Sequence, residues 1–271
     1  MHAGGIVLCG GRSSRMGRAK AWLPWRGQAM VAHVVAVLRQ VVDEVVVVSS
    51  RKLELPPIDA RVVRDREPER GPLAGIREGL EQLEAELAFV TATDAPFLDP
   101  DFVRTLLSHR GAAAPQVRGY VETLSAVYPR AALPCAEALL AEGRLRPLFL
   151  LEAARYRLVP EHELPGVESV RGFNTPEQYL EAVREVEPGA TAVLEFLGHA
   201  RMVLGRRELE VPVGTLSEVL AHAAPALELV REGRVARPFL VSLDGRSFVR
   251  DASIPIGPGE HVIVLDASVG G

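Results

Sequence analysis

At 271 residues, 48% apolar and 24% charged, the chain has an ordinary folded-protein composition, with room for one large domain or two smaller ones. A formal net charge of −4 gives no support for general nucleic-acid binding, which wants a broad basic face. Two cysteines, Cys9 and Cys135, are too few for a disulfide framework and lack metal-ligand spacing; with no signal peptide and no membrane-length apolar run, they point to the reducing cytoplasm.

Gly5–Leu8 reads as a first buried strand, and it runs straight into Cys9-Gly10-Gly11-Arg12-Ser13-Ser14-Arg15-Met16-Gly17-Arg18-Ala19-Lys20. Glycines let backbone N–H groups approach phosphate oxygens, and cationic side chains neutralise the charge that collects there. A nucleotide-holding loop is one reading of this stretch; a glycine turn followed by a solvated basic loop is the other. Lys20 sharpens the first, being one of only two lysines against 29 arginines.

Met30–Val41 is apolar at helical spacing, Glu44–Ser49 is a continuous β-branched run, and Arg61–Arg64 is a shorter one. Pro72–Leu83 reads as a helix with Leu73, Ile76, Leu80 and Leu83 on one face, and Leu87–Thr91 as another buried strand. Asp94 follows that strand in Thr93-Asp94-Ala95-Pro96, where a carboxylate either caps a turn or holds Mg²⁺ between triphosphate oxygens. Asp99-Pro100 and Thr175-Pro176 start two further helices, the second reaching about Val186. Strands that alternate with helices and are apolar throughout predict a parallel sheet covered on both faces, with ligands beyond the carboxyl ends of the strands.

Glu187-Pro188-Gly189-Ala190-Thr191 breaks the pattern, so residues 187–191 are read as a linker between domains 1–186 and 192–271. Beyond it come strands Val193–Leu197 and Arg207–Val211, with a turn near Gly205. A helix opened by the capping box Thr215-Leu216-Ser217-Glu218 follows. Strand Phe239–Leu243, an Asp244-Gly245 hairpin turn, Arg246–Val249 and a last strand Val262–Leu265 complete a small mixed sheet around one main helix.

Leu8-x-Gly10-Gly11-x-Ser13-x-Arg15-Met16-Gly17 followed by Lys20 resembles the opening signature of the molybdenum cofactor nucleotidyltransferases. Gly11 favours the guanylyltransferase branch, since the cytidylyltransferases usually open with Ala-Ala-Gly; Ala19 replaces the usual aspartate or proline before the lysine. The resemblance implies an α/β, Rossmann-like domain that uses GTP and Mg²⁺. It implies nucleotide contacts from Leu8, Cys9, Gly10, Gly11, Lys20, Ser50, Asp65, Gly75 and Asp94, with Gly71–Gly75 near the base. Asp94 takes the metal, and Arg15 and Lys20 meet the departing pyrophosphate. On the acceptor side it implies Glu122, Arg144 and Asn174, the only asparagine of the chain, and a pterin-side stretch that includes Tyr128. Gly172 stands where a second polar residue is common.

The second domain resembles the ubiquitin-like, β-grasp sulfur carriers, specifically the small subunit of molybdopterin synthase. The resemblance rests on Leu194–Arg201, Phe239–Gly245 and the terminal Gly270-Gly271. It implies that the Gly271 carboxylate is adenylated by an activating enzyme, converted to a thiocarboxylate, and used inside the large synthase subunit. The two resemblances together imply a bifunctional protein that transfers GMP from GTP to molybdopterin and carries sulfur, with neither nucleic acid nor membrane as partner. Rival readings are a cytidylyl- or sugar-phosphate nucleotidyltransferase, a non-catalytic carrier with a degenerate nucleotide site, and a purely structural fusion.

Overall fold

Seven consecutive residues, Ala3–Cys9 (β1), form a strand with almost no exposed surface, because neighbours cover both edges and both faces. Glu44–Ser49 (β2) pairs parallel on one side, and Arg61–Arg64 (β3) pairs parallel beyond it. Met30–Leu38 (α1) and Gly71–Gln82 (α2) are the crossovers that parallel pairing demands. Leu87–Ala92 (β4) pairs parallel with β1 on its other side. These elements belong to a computed structural model that describes residues 2–10, 15–67, 70–245 and 247–266.

Pro100–Ser108 (α3) follows, held by Asp99, whose Oδ1 accepts from the N–H groups of Asp101 and Phe102. Beyond it come Ala113–Val117 (β5), Tyr120–Val121 (β6) and Ser125–Pro129 (β7), then Leu133–Ala141 (α4), Pro147–Ala153 (α5) and Arg157–Pro160 (β8). The sheet runs β8-β5-β7-β4-β1-β2-β3, with β6 beside β5. It is mixed rather than all-parallel, since β7 runs antiparallel to both β4 and β5. The reason is a tight return at Arg118-Gly119, both at positive φ, which sends the chain back without a helix. Ala113-Ala114-Pro115-Gln116-Val117 carries little β-branched signal, so no local pattern announces this strand.

Alternate residues of the strands face opposite layers. Val7, Cys9, Val47 and Phe89 pack with Val34, Leu38, Phe102 and Leu106 of α1 and α3. Ile6, Val46, Val90 and Tyr128 pack with Leu73, Ile76, Leu80 and Leu150 of α2 and α5. Each large side chain fully buried in this way contributes roughly 1.5–3 kcal/mol.

The chain groups into two compact units, one built from segments 1–12, 20–22 and 29–172, the other from 13–19, 23–28 and 173–271. In the second unit, Thr175 caps Pro176–Val186 (α6). Thr191–Phe196 (β9), Gly198–Leu204 (α7), Glu208–Pro212 (β10), Leu216–Ala223 (α8), Phe239–Leu243 (β11), Ser247–Val249 (β12) and His261–Asp266 (β13) follow. Their sheet runs β10-β9-β13-β11-β12, with the central pair β9 and β13 parallel and the remaining pairs antiparallel. Thr215 and Glu218 form the expected capping box on α8, and Asp244-Gly245 turns at positive φ in both residues. The stretch before Gly205 is a short helix, α7, which Gly205 ends in the left-handed conformation. Phe196, Val219, Leu220, Val241, Val262 and Val264 are the centre of this unit's core. Among the described residues no helix is long and apolar enough to cross a membrane.

Candidate active site

The parallel register sets Leu8 beside Ala92, so β1 and β4 end together at the carboxyl edge of the sheet. Thr93 ties the two ends: its backbone N–H and its hydroxyl both donate to the Leu8 carbonyl at 3.1 Å. This fixes the start of the turn that carries Asp94. Lys20 opens a short 3₁₀ turn, Lys20–Trp22, anchored by the buried Ala21. Its Nζ lies 2.5 Å from Asp94 Oδ2, and the two side chains are 18% and 22% exposed. Two residues 74 positions apart thus meet at the rim of the sheet, close enough to water to exchange this partner for a ligand.

A third segment closes on the same turn. A Cβ at Gly172 would fall 2.8 Å from the Asp94 carbonyl oxygen, so only glycine permits this approach. Just before it, the Arg171 guanidinium stacks on the Phe97 ring at 3.8 Å and pairs with Glu168 at 3.0 Å. Gly10 is open, with nothing within 4 Å of a Cβ placed there. Cys9 points into the core, where burial pushes its thiol up and Ser49 and Thr93 bond to it; only its backbone can face a ligand. Gly11 and Gly271 lie outside the described residues.

Ser50 and Asp65 lie just beyond β2 and β3. The Ser50 carbonyl accepts from Arg64 at 3.0 Å, while Asp65 donates its N–H to the Ser49 carbonyl and accepts the Glu67 N–H on its carboxylate. Gly75 is buried on α2, and a Cβ there would meet Leu8 Cδ2 at 3.0 Å; one turn later a Cβ on Gly79 would meet Ile6 at 2.7 Å. The pair draws α2 down onto β1, so Gly75 brings the start of the helix close to the β1 edge. A charged network behind this loop was missed in the sequence: fully buried Glu78 receives Arg66 and Arg77, and Glu67 receives Arg70 and Arg77. The signal for it was the density of alternating arginine and glutamate between residues 64 and 81.

The residues expected on the acceptor side occupy different surroundings. Glu122 lines a cleft of about 310 Å³ with Val117, Arg118, Tyr120, Val170 and Arg171, and burial pushes its carboxyl above the usual range. Arg144 stacks on Phe149 in the turn between α4 and α5, beside Leu145, whose carbonyl faces Gly71 at the start of α2. Asn174 and Arg15 belong to the second unit. There the Asn174 N–H donates to Gln178 Oε1 at 2.7 Å before α6, and Arg15 is exposed. Tyr128 is buried in the core, its hydroxyl donating to the Thr123 carbonyl, so it presents nothing to a ligand.

Comparison with known proteins gives this rim a family. Residues 5–157 match the MobA-like NTP transferase domain. The molybdenum cofactor guanylyltransferase of Pseudomonas entomophila is 35% identical over 185 residues, covering 65% of this chain and 95% of that protein. The Desulfosudis oleivorans protein of the same name is 31% identical, covering 68% and 96%. Among solved structures, molybdopterin-guanine dinucleotide biosynthesis protein A from Archaeoglobus fulgidus shares the fold with a TM-score of 0.55 at 23% identity, over 66% of this chain and 96% of that one. The Thermus thermophilus 2-C-methyl-D-erythritol 4-phosphate cytidylyltransferase shares it at 0.52 and 20% identity, over 67% and 97%. With residues 5–157 matched, more than half of the chain and including both Lys20 and Asp94, the chain belongs to the MobA-like NTP transferase family and is a nucleotidyltransferase.

Proposed function

We propose that the chain transfers GMP from GTP to the terminal phosphate of molybdopterin, and that Lys20 and Asp94 are the residues that make this transfer possible. The observation that carries the proposal is the 2.5 Å approach of Lys20 Nζ to Asp94 Oδ2 at the joined ends of β1 and β4. The similarity to proteins named molybdenum cofactor guanylyltransferase supports the choice of GTP and of the acceptor.

In this reaction an acceptor phosphate oxygen bonds to the α-phosphorus of GTP while the bond to the bridging oxygen breaks, and pyrophosphate leaves. No protein nucleophile is needed; in-line positioning and neutralisation of developing charge supply the catalysis. One accessible carboxylate beside a phosphate-holding loop suits Mg²⁺, which prefers one or two carboxylates plus phosphate and water. Asp94 would hold that ion, which would supply Lewis-acid stabilisation of the charge that develops on the phosphates. Lys20 then leaves Asp94 for the departing phosphates, with Arg15 assisting. Leu8, Cys9, Gly10 and Gly11 offer backbone to the triphosphate. Ser50, Asp65 and the start of α2 at Gly71–Gly75 take the nucleoside. Glu122, Arg144 and Asn174 are assigned to the acceptor.

For residues 192–271, following a linker at 187–191, we propose a β-grasp sulfur carrier whose Gly271 carboxylate is activated by an adenylating enzyme and delivers sulfur within the large subunit of molybdopterin synthase. A five-stranded mixed sheet around one main helix, with its first and last strands parallel at the centre, supports that reading.

The transferase proposal is tested by measuring pyrophosphate release with GTP, Mg²⁺ and molybdopterin. Lys20→Ala and Asp94→Ala are each expected to lower turnover by two orders of magnitude or more, the loss of about 3 kcal/mol of electrostatic stabilisation. Near wild-type rates in both variants would overturn the assignment.

A further inference from the structure

Helix α1 reads Met-Val-Ala-His-Val-Val-Ala-Val-Leu, and its single polar residue, His33, is buried at 8% exposure. The ring Nε2 lies 3.0 Å from the carbonyl oxygen of Pro96, 63 positions away, in the turn that follows Asp94. A carbonyl only accepts, so Nε2 must carry a proton and donate it. The same turn closes on itself through the Leu98 N–H and the Ala95 carbonyl at 3.3 Å. Ala95 and Leu98 belong to one apolar cluster with Val31, Val34 and Val35 of α1. Ala21, the buried residue next to Lys20, belongs to it too, and the Lys20–Trp22 turn lies against α1. One helix therefore supports both members of the Lys20–Asp94 pair. All of these residues are in the first unit.

An imidazole on an apolar helix face is a poor way to gain stability. Its ring nitrogens give up water and regain only what a partner returns, while an apolar side chain would fill the same space at no such cost. What the ring supplies is direction. A hydrogen bond weakens steeply when bent, so a stiff donor on a packed helix fixes the carbonyl that it meets. Pro96 has a fixed φ and no N–H, which leaves its carbonyl as the residue's one polar handle. Thr93 ties the start of the turn to β1, His33 ties its end to α1, and Asp94 lies between the two ties.

We propose that His33 is a positioning residue for nucleotidyl transfer. By donating to the Pro96 carbonyl it holds the Asp94 turn where the carboxylate faces Lys20, so that metal affinity and turnover depend on a histidine acting only through the backbone. The proposal rests on reading Lys20 and Asp94 as the transferring rim.

The test uses the full-length protein as wild type, His33→Leu and His33→Gln. Leucine fills the space without a donor, and glutamine returns an N–H close to the reach of Nε2. Melting temperature, kcat and KM for GTP at saturating Mg²⁺, and amide exchange over residues 93–98 are measured for each. Mn²⁺ affinity in the presence of GTP is read by electron paramagnetic resonance. His33→Leu is expected to lower kcat and to weaken Mn²⁺ by about 10-fold each, as a small misplacement does, with KM changed far less and exchange over 93–98 accelerated. His33→Gln is expected to recover most of each loss. A role in stability alone would lower the melting temperature of His33→Leu but leave Mn²⁺ affinity and exchange over 93–98 at wild-type values. That result would overturn the proposal, as would a glutamine variant no better than the leucine one. If His33→Leu does not fold, the wild type decides: nitrogen-15 spectra of the imidazole are expected to show Nε2 protonated, and a proton on Nδ1 alone would overturn the proposal. A wild type that binds none of GTP, CTP and ATP would instead overturn the transferase reading, and exchange over 93–98 would still decide whether His33 holds the turn.

Discussion

Gly172 does more at the active rim than its lack of a side chain suggests. It abuts the backbone of the turn that carries Asp94, where a Cβ would sit 2.8 Å from the Asp94 carbonyl oxygen. The carboxylate is therefore placed from two sides, by Thr93 on β1 and by residue 172 on the carbonyl. Gly172→Ala is expected to push this turn outward, costing roughly 1–3 kcal/mol of stability through overpacking and lowering turnover about tenfold. Thermal denaturation with steady-state kinetics checks this; wild-type values in both would show that the approach is not tight. Lys20 and Asp94 could be found in the sequence because charge type and position after an apolar run are local properties. The role of Gly172 could not, because it depends on a contact between residues 78 positions apart.

At the scale of elements, strength comes from capping and from close helix–sheet packing. Asp99 accepts two N–H bonds at the start of α3, a helix that buries Phe102, Val103, Leu106 and Leu107. Asp99→Ala is expected to remove about 1 kcal/mol, lowering the melting temperature by about 2–4 °C for a protein of this size. An unchanged melting temperature would mean that water replaces the cap at no cost. The caps at Asp99, Thr175 and Thr215 were legible because each places a short oxygen-bearing side chain just before an apolar periodic run. The antiparallel return through β5, β6 and β7 was not, because alanine, proline and glutamine carry little strand signal and the reversal rests on backbone conformation at Arg118-Gly119. Gly75 and Gly79 lie between these cases: their spacing is visible in the sequence, while the strand residues they meet, Leu8 and Ile6, are set by the tertiary fold.

For the whole molecule, the family match spans residues 5–157, and similarity to named guanylyltransferases extends over 65–68% of the chain. The rest folds as a sheet of different topology with its own core. The break in sequence pattern predicts a single boundary between these parts, at residues 187–191. The structure groups the chain less simply, with two short amino-terminal segments joining residues 173–271, a grouping set by long-range pairs such as Arg18–Glu260 that no local pattern announces. On the proposed function, the rim formed by Lys20 and Asp94 binds GTP as a magnesium complex for transfer. Its most direct test is calorimetric titration of GTP, CTP and ATP, each with Mg²⁺, into the wild type and Asp94→Ala. Clear preference for GTP in the wild type and loss of that binding in the variant are expected. Preference for CTP or ATP, or GTP binding that survives in Asp94→Ala, would contradict that function.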